Sequence, residues 1–184
     1  MAVGELIKTS REVQATEIPA GVRATIPAGA SLRIIQTLGG NYTVMTDRGQ
    51  MLRIANADGD AIGETPTPPP APLVGAAPDA PFSEQAVWDQ LKTVYDPEIP
   101  VDIVELGLIY ECKHAPTPQG GEHVDIKMSL TAPGCGMSEV LKRDVEHKVA
   151  SLPGVREVSV EVVFDPPWGP ERMSDAAKLK LGIL

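Results

Sequence analysis

Cys135 is the side chain with the widest chemical reach in this chain, set in Thr131-Ala132-Pro133-Gly134-Cys135-Gly136-Met137, where strand-like alternation gives way to helical spacing. Upstream, Val124, Ile126, Met128 and Leu130 alternate as in a strand; downstream, Met137, Val140, Leu141, Val145, Val149 and Leu152 recur at intervals of three and four. A thiol at such a turn meets the unpaired amides of the first helical turn and the positive end of the helix dipole, and both favour the thiolate. Gly134 and Gly136 permit backbone angles closed to other residues, so amides can gather around sulfur or around what sulfur binds. The chemistry open to such a site is soft-metal ligation or nucleophilic attack. The same residues also suit a plain strand-to-helix turn whose small side chains make room around an inert thiol.

The acids nearest in kind to a partner are Asp96 and Glu98 in Asp96-Pro97-Glu98-Ile99-Pro100. Both acids sit in a proline-stiffened turn, and joint catalysis by the pair is not expected. One reading makes Asp96 or Glu98 a hard ligand or a base near Cys135; the other makes the segment a helix terminator with solvated acids. His114, His123 and His147 lack metal-ligand spacing and read as surface or hydrogen-bonded imidazoles. The only other cysteine, Cys112, falls on the apolar side of an alternating run and reads as a core thiol. With two cysteines and no C-x-x-C pair, one chain cannot surround a four-thiolate centre. A soft-metal site here is therefore incomplete, shared between chains, or transient. The two cysteines lie in different elements, so no disulfide framework is expected and both are free thiols in a reducing compartment.

The elements that must position these groups follow from spacing. Ser83 caps a helix carrying Ala86, Val87, Leu91 and Val94 up to Tyr95, which the two prolines of 96–100 then stop. Leu106, Leu108, Tyr110 and Cys112 form a strand, a Pro- and Gly-rich loop spans 116–121, and 122–130 returns as its hairpin partner. A helix from Met137 to Leu152 follows, with Glu139/Arg143 and Asp144/Lys148 as i,i+4 pairs on its polar side. Pro153-Gly154 ends it; Val158, Val160, Val162 and Phe164 form a third strand, and a last helix covers 174–181. Asp165-Pro166-Pro167-Trp168-Gly169-Pro170 leaves that strand extended, with Trp168 as a packing anchor or a lid over the cysteine turn. The order helix, strand, strand, helix, strand predicts an α/β two-layer sandwich, a small mixed three-stranded sheet with helices on one face.

Residues 65–81, TPTPPPAPLVGAAPDAP, are too rich in proline and alanine to pack and read as an extended linker. The predicted organisation is a small all-β module over 1–64, the linker over 65–81, and the α/β domain over 82–184. In the first module, β-type runs at 22–26, 31–36, 42–46 and 51–55 are separated by turn residues, which suggests a curled sheet or barrel without a catalytic constellation, suited to docking. Its arginines, Arg23, Arg33, Arg48 and Arg53, read as solvated surface. A formal charge of −9 disfavours nucleic acid as a partner. Residues 1–11 resemble neither a secretory signal nor a membrane span, so a cytoplasmic protein without membrane contact is expected.

Taken together, DPEIPVDIVELGLIY (96–110), MSLTAPGCGM (128–137), LPGVREVSVEVVFDPPWGPERMS (152–174) and the ending AAKLKLGIL resemble the SufT group of the MIP-eighteen-like (PaaD/SufT, DUF59) family. IPAGVRATIPAGASLRIIQTLGGNYTV (18–44) and NADGDAIG (56–63) are similar to the extra domain of its longer members. The resemblance implies an auxiliary factor of iron-sulfur cluster assembly or delivery to apo-proteins, non-catalytic, with no tightly bound cofactor and at most a transient cluster. It implies iron-sulfur carriers or scaffolds and apo-clients as partners. The family's prominent positions correspond here to Asp96, Glu98, Thr131 and Cys135, with Gly134 and Gly136 flanking the thiol. A homodimer would let two Cys135 thiolates face each other and supply missing ligands. A cysteine-dependent thiol transferase and a purely structural scaffold are the alternatives.

Overall fold

Two hydrophobic cores organise the chain, one in each of two units, Met1–Pro70 and Ala71–Leu184. The structure is a computed structural model and describes residues 4–66, 81–132 and 136–183. Most of the expected linker, together with Gly134 and Cys135, lies outside the described residues.

The first unit is a six-stranded antiparallel sheet of β1 (Leu6–Lys8), β2 (Val13–Ile18), β3 (Arg23–Ile26), β4 (Ser31–Leu38), β5 (Asn41–Thr46) and β6 (Met51–Ile54), in the order β1-β4-β5-β6-β2-β3. Leu32, Ile34, Val44 and Ile54 fill its core at alternate positions. Gly39 and Gly40 join β4 to β5 in a two-residue turn with φ of 60° and 82°, the left-handed values that such a hairpin needs at both central residues. A 3-10 segment, Asn56–Ile62, follows, and Arg11 holds it through Asp58 at 2.9 Å and Asp60 at 2.6 Å. The four runs expected from alternation correspond to β3 to β6. The two further strands, β1 and β2, are additions. β1 has three residues, and β2 carries Gln14, Ala15 and Glu17, which have weak strand preference; pairing with β3 and β6 overrides it.

The second unit holds α1 (Glu84–Leu91), β7 (Ile109–Pro116), β8 (Glu122–Met128), α2 (Ser138–Ala150), β9 (Val155–Val162) and α3 (Asp175–Leu181). β7 and β8 are an antiparallel hairpin, while β9 runs parallel to β8, so the sheet is mixed with order β7-β8-β9. Val124, Ile126, Met128 and Val160 share a core with Val87 and Leu91 of α1 and Leu141, Val145 and Val149 of α2. On the other face Asp125, Lys127, Glu157 and Glu161 are exposed. The α/β sandwich with a mixed three-stranded sheet is thus the observed architecture.

Several boundaries differ from the expected ones. α1 stops at Leu91, because the amides of Thr93 and Val94 turn back to Gln90 and Leu91 and tighten the chain. β7 begins at Ile109, since the chain is wound through 102–107; Leu106 and Leu108 are buried from a turn and not from a strand. β9 ends at Val162, which leaves Phe164 outside the strand and 46% exposed.

Candidate functional site

The segment between α1 and β7 is shaped by two aspartates that cap the backbone. Asp96 Oδ1 accepts the amides of Glu98 (2.8 Å) and Ile99 (2.9 Å), and Asp102 Oδ1 accepts those of Val104 (3.1 Å) and Glu105 (3.0 Å). The spacing is the reason: an aspartate reaches backbone amides two and three residues on, and Pro97 presets the bend between. Asp96 is 4% exposed, and its own amide donates to the Val101 carbonyl at 3.2 Å. Burial holds the half-buried Asp102 carboxyl above its ordinary range, against the lowering effect of the Glu105 and Val104 amides; the Glu105 charge adds to the rise. Glu98, two residues from Asp96, is exposed. The turn therefore separates the acids: one shapes the loop and the other faces solvent.

This acid-bearing segment is laced to the end of β8. The Ser129 amide donates to the Leu108 carbonyl at 2.8 Å, and the Leu108 amide to Ile103 at 2.9 Å, which returns to Val94 at 2.9 Å. Thr131, two residues past Ser129, is half-buried. Beyond Cys135 the chain resumes with Gly136 exposed and Met137 buried, and α2 starts at Ser138. Met137 stands at the helix cap position and its thioether offers no oxygen to the first-turn amides. Of the residues expected in the site, Asp96 and Glu98 lie on the segment that Leu108 bonds to Ser129, Thr131 follows β8 and Gly136 precedes α2; Gly134 and Cys135 fall outside the described residues.

The last part of the chain buttresses the same segment. Trp168 Nε1 donates to the Leu106 carbonyl at 2.8 Å, so its indole anchors the tail to this segment. The Ser174 amide donates to the Glu105 carbonyl at 2.9 Å, its hydroxyl bonds the Glu105 carboxylate, and its oxygen also caps α3 through the Ala177 amide at 3.0 Å. The Tyr110 hydroxyl donates to the Pro166 carbonyl at 2.9 Å, and the Arg172 guanidinium lies 3.9 Å from the Tyr110 ring centroid.

Cys112 is half-buried and packs against the core, and burial pushes its thiol up to about 11, with Glu84 adding to the effect. It is a packing thiol and a poor nucleophile. His114 bonds Glu122 at 3.1 Å, while His123 lies between Glu157 at 3.0 Å and Asp125 at 3.1 Å, with Ser159 Oγ at 2.9 Å. These are hydrogen-bonded imidazoles. Among the described residues no group of three or more His, Cys, Asp or Glu side chains could hold a metal ion. No described helix is long and apolar enough to cross a membrane.

Two features escaped the motif reading. Asp102 repeats the turn made by Asp96 six residues later, a signal visible as a second aspartate just before Ile103. Ser129 is fully buried, and its hydroxyl has no hydrogen-bond partner among the described residues. Its signal is a lone polar residue between Met128 and Leu130, two core residues.

Residues 84–162 match the family described as "Iron-sulfur cluster assembly protein". The chain is 41% identical over 103 residues to the "Fe-S protein maturation auxiliary factor" of Porphyromonas gingivalis, a match covering 55% of this chain and 93% of that one. It is 38% identical over 100 residues to the "Fe-S protein maturation auxiliary factor YitW" of Bacillus subtilis, covering 54% of this chain and 94% of that protein. It is 38% identical over 90 residues to the "Fe-S protein maturation auxiliary factor SufT" of Staphylococcus aureus, covering 49% and 98%. With nearly the whole length of each relative matched, this chain belongs to the SufT-type (DUF59) iron-sulfur cluster assembly family.

Proposed function

We propose that the chain is an auxiliary maturation factor that assists assembly of iron-sulfur clusters or their delivery to apo-proteins. The observation that carries this reading is the near-complete match to relatives named as such factors, in a chain that keeps Asp96, Glu98, Thr131 and Cys135. The cluster is cargo and not a resident cofactor, and the protein is not an enzyme. The Cys135 thiolate makes the soft contact to cluster iron or to a carrier-bound cluster. In this reading exposed Glu98 adds a hard oxygen contact, while Asp96, whose Oδ1 accepts two amides, sets the turn. A site with so few strong ligands suits release, since cargo held by four thiolates leaves slowly. Iron-sulfur carriers, scaffolds and apo-clients are the partners in this reading. The chain acts in the cytoplasm, with the six-stranded unit as a docking module. A symmetric dimer is the arrangement by which two Cys135 thiolates could complete one site.

The test is anaerobic reconstitution with iron and sulfide on the wild type and on Cys135→Ala, read by visible absorption and native mass, followed by transfer to an apo-ferredoxin. Wild type should acquire a chromophore and pass it on, and the variant should lose both while keeping its far-ultraviolet circular dichroism. Undiminished transfer by the variant removes the mechanism.

A further inference from the structure

The six strands of the first unit lie outside the family match, which begins at residue 84. β3 is the last strand of their sheet: it pairs with β2 on one side, and no described strand pairs with the other. Beside it lies a cleft of about 320 Å³. Ala24, Thr25 and Ile26 all line this cleft; successive residues of a strand point to opposite faces, so a cleft that touches three in a row follows the strand's edge. Ile26, Leu32 and Leu52, all core residues, give it an apolar floor, and the turn between β5 and β6 contributes Asp47 and Arg48 to its rim. No bulge interrupts the pairing of β2 with β3, and no inward charge blunts the edge, since the inward residues are Ala24 and Ile26.

We propose that this edge is a peptide-docking site: an extended acidic segment of a partner protein pairs with β3 and sets one apolar side chain into the cleft. The inference deepens the docking role given to this unit above and rests on that part of the reading alone. Main-chain hydrogen bonds to a strand edge hold any extended chain, and the cleft beside the edge selects among them. A side chain that reaches Ile26, Leu32 and Leu52 must be apolar, while its neighbours along the segment turn the other way. Arg23, at the start of β3, and Arg48, on the rim, are both exposed and outnumber Asp47, so complementarity calls for carboxylates flanking the apolar residue.

The test titrates the isotope-labelled, metal-free full chain with the peptide acetyl-Glu-Val-Thr-Val-Glu-amide, followed by amide chemical shifts and hydrogen exchange. Two control peptides carry lysine for both glutamates, or methyl groups on the three central amides. The acidic peptide should shift signals from residues 23–27 and 46–52 and slow exchange of β3 amides, and each control should bind about tenfold more weakly or worse. Arg48→Glu, a change at an exposed turn position, should keep the amide spectrum of a folded protein and bind the acidic peptide about tenfold more weakly, with the lysine peptide gaining. Shifts confined to other residues, equal binding of the methylated peptide, an unchanged preference in Arg48→Glu, or no shift by the acidic peptide at about 5 mM each overturn the inference. No iron is present, so a chain that docks this peptide yet forms no chromophore in the reconstitution keeps the docking site and loses the cluster reading.

Discussion

Asp96 illustrates how one carboxylate oxygen can fix the shape of a turn. Its Oδ1 takes two backbone amides from a position 4% exposed, so truncation leaves both amides without an acceptor. Asp96→Ala should therefore lower unfolding stability by about 2 kcal/mol, whereas Asp96→Asn, which retains the accepting oxygen, should cost about half as much or less; urea denaturation separates the two. If the acid also acts on cargo, the asparagine variant will fold and still transfer poorly. At this scale the sequence is legible in part. Asp-Pro-Glu is visibly a bend; that the bend buries Asp96 and leaves Glu98 exposed was not readable from spacing, because residues two apart on extended backbone share a face. That Ser129 is wholly buried could not be read, because burial of a short polar residue depends on what crosses over it, and those contacts come from distant parts of the chain.

The strand pair β8–β9 is joined on its outer face by His123, whose ring meets Glu157 first and Asp125 second. Both carboxylates raise the imidazole above its ordinary value of 6.5. The sign follows: the contribution is fully present below the unfolded-state value, and it disappears as pH rises through the raised folded-state value. Melting curves of wild type and His123→Gln, taken between about pH 5 and pH 9, should differ most at the acid end and converge at the alkaline end. A second element-level prediction concerns Gly107. Its φ is 70°, and an added Cβ would run into the Arg172 carbonyl, so Gly107→Ala should destabilise the chain by more than about 2 kcal/mol in chemical denaturation. The element order was readable from hydrophobic spacing, and α2 is close to its expected limits because 13 residues of consistent period leave little choice. β1 and β2 were not readable, since β1 has only 3 residues and β2 mixes Val13, Thr16 and Ile18 with Gln14, Ala15 and Glu17, whose strand preference is weak. The late start of β7 has a related cause: Leu106 and Leu108 are apolar for the core, and apolarity alone does not distinguish a buried turn from a strand.

At the scale of the whole molecule, the hydrophobic cluster of the second unit draws its buried members from 87–177 and that of the first from 7–62. A chain of residues 82–184 should consequently fold alone, with a single cooperative thermal transition and a helical circular dichroism spectrum; a broad, non-cooperative melt would show that the first unit is needed. Division into an all-β part and an α/β part was legible in the proline-rich stretch between them, although no local signal could reveal how the end of the chain braces its middle. That bracing has a temporal side. The bonds from Trp168 to Leu106 and from Ser174 to Glu105 span 62 and 69 residues. During synthesis, the turn bearing Asp96 emerges from the ribosome long before the residues that fasten its far end. A nascent chain thus cannot fasten this loop until Trp168 and Ser174 have been translated.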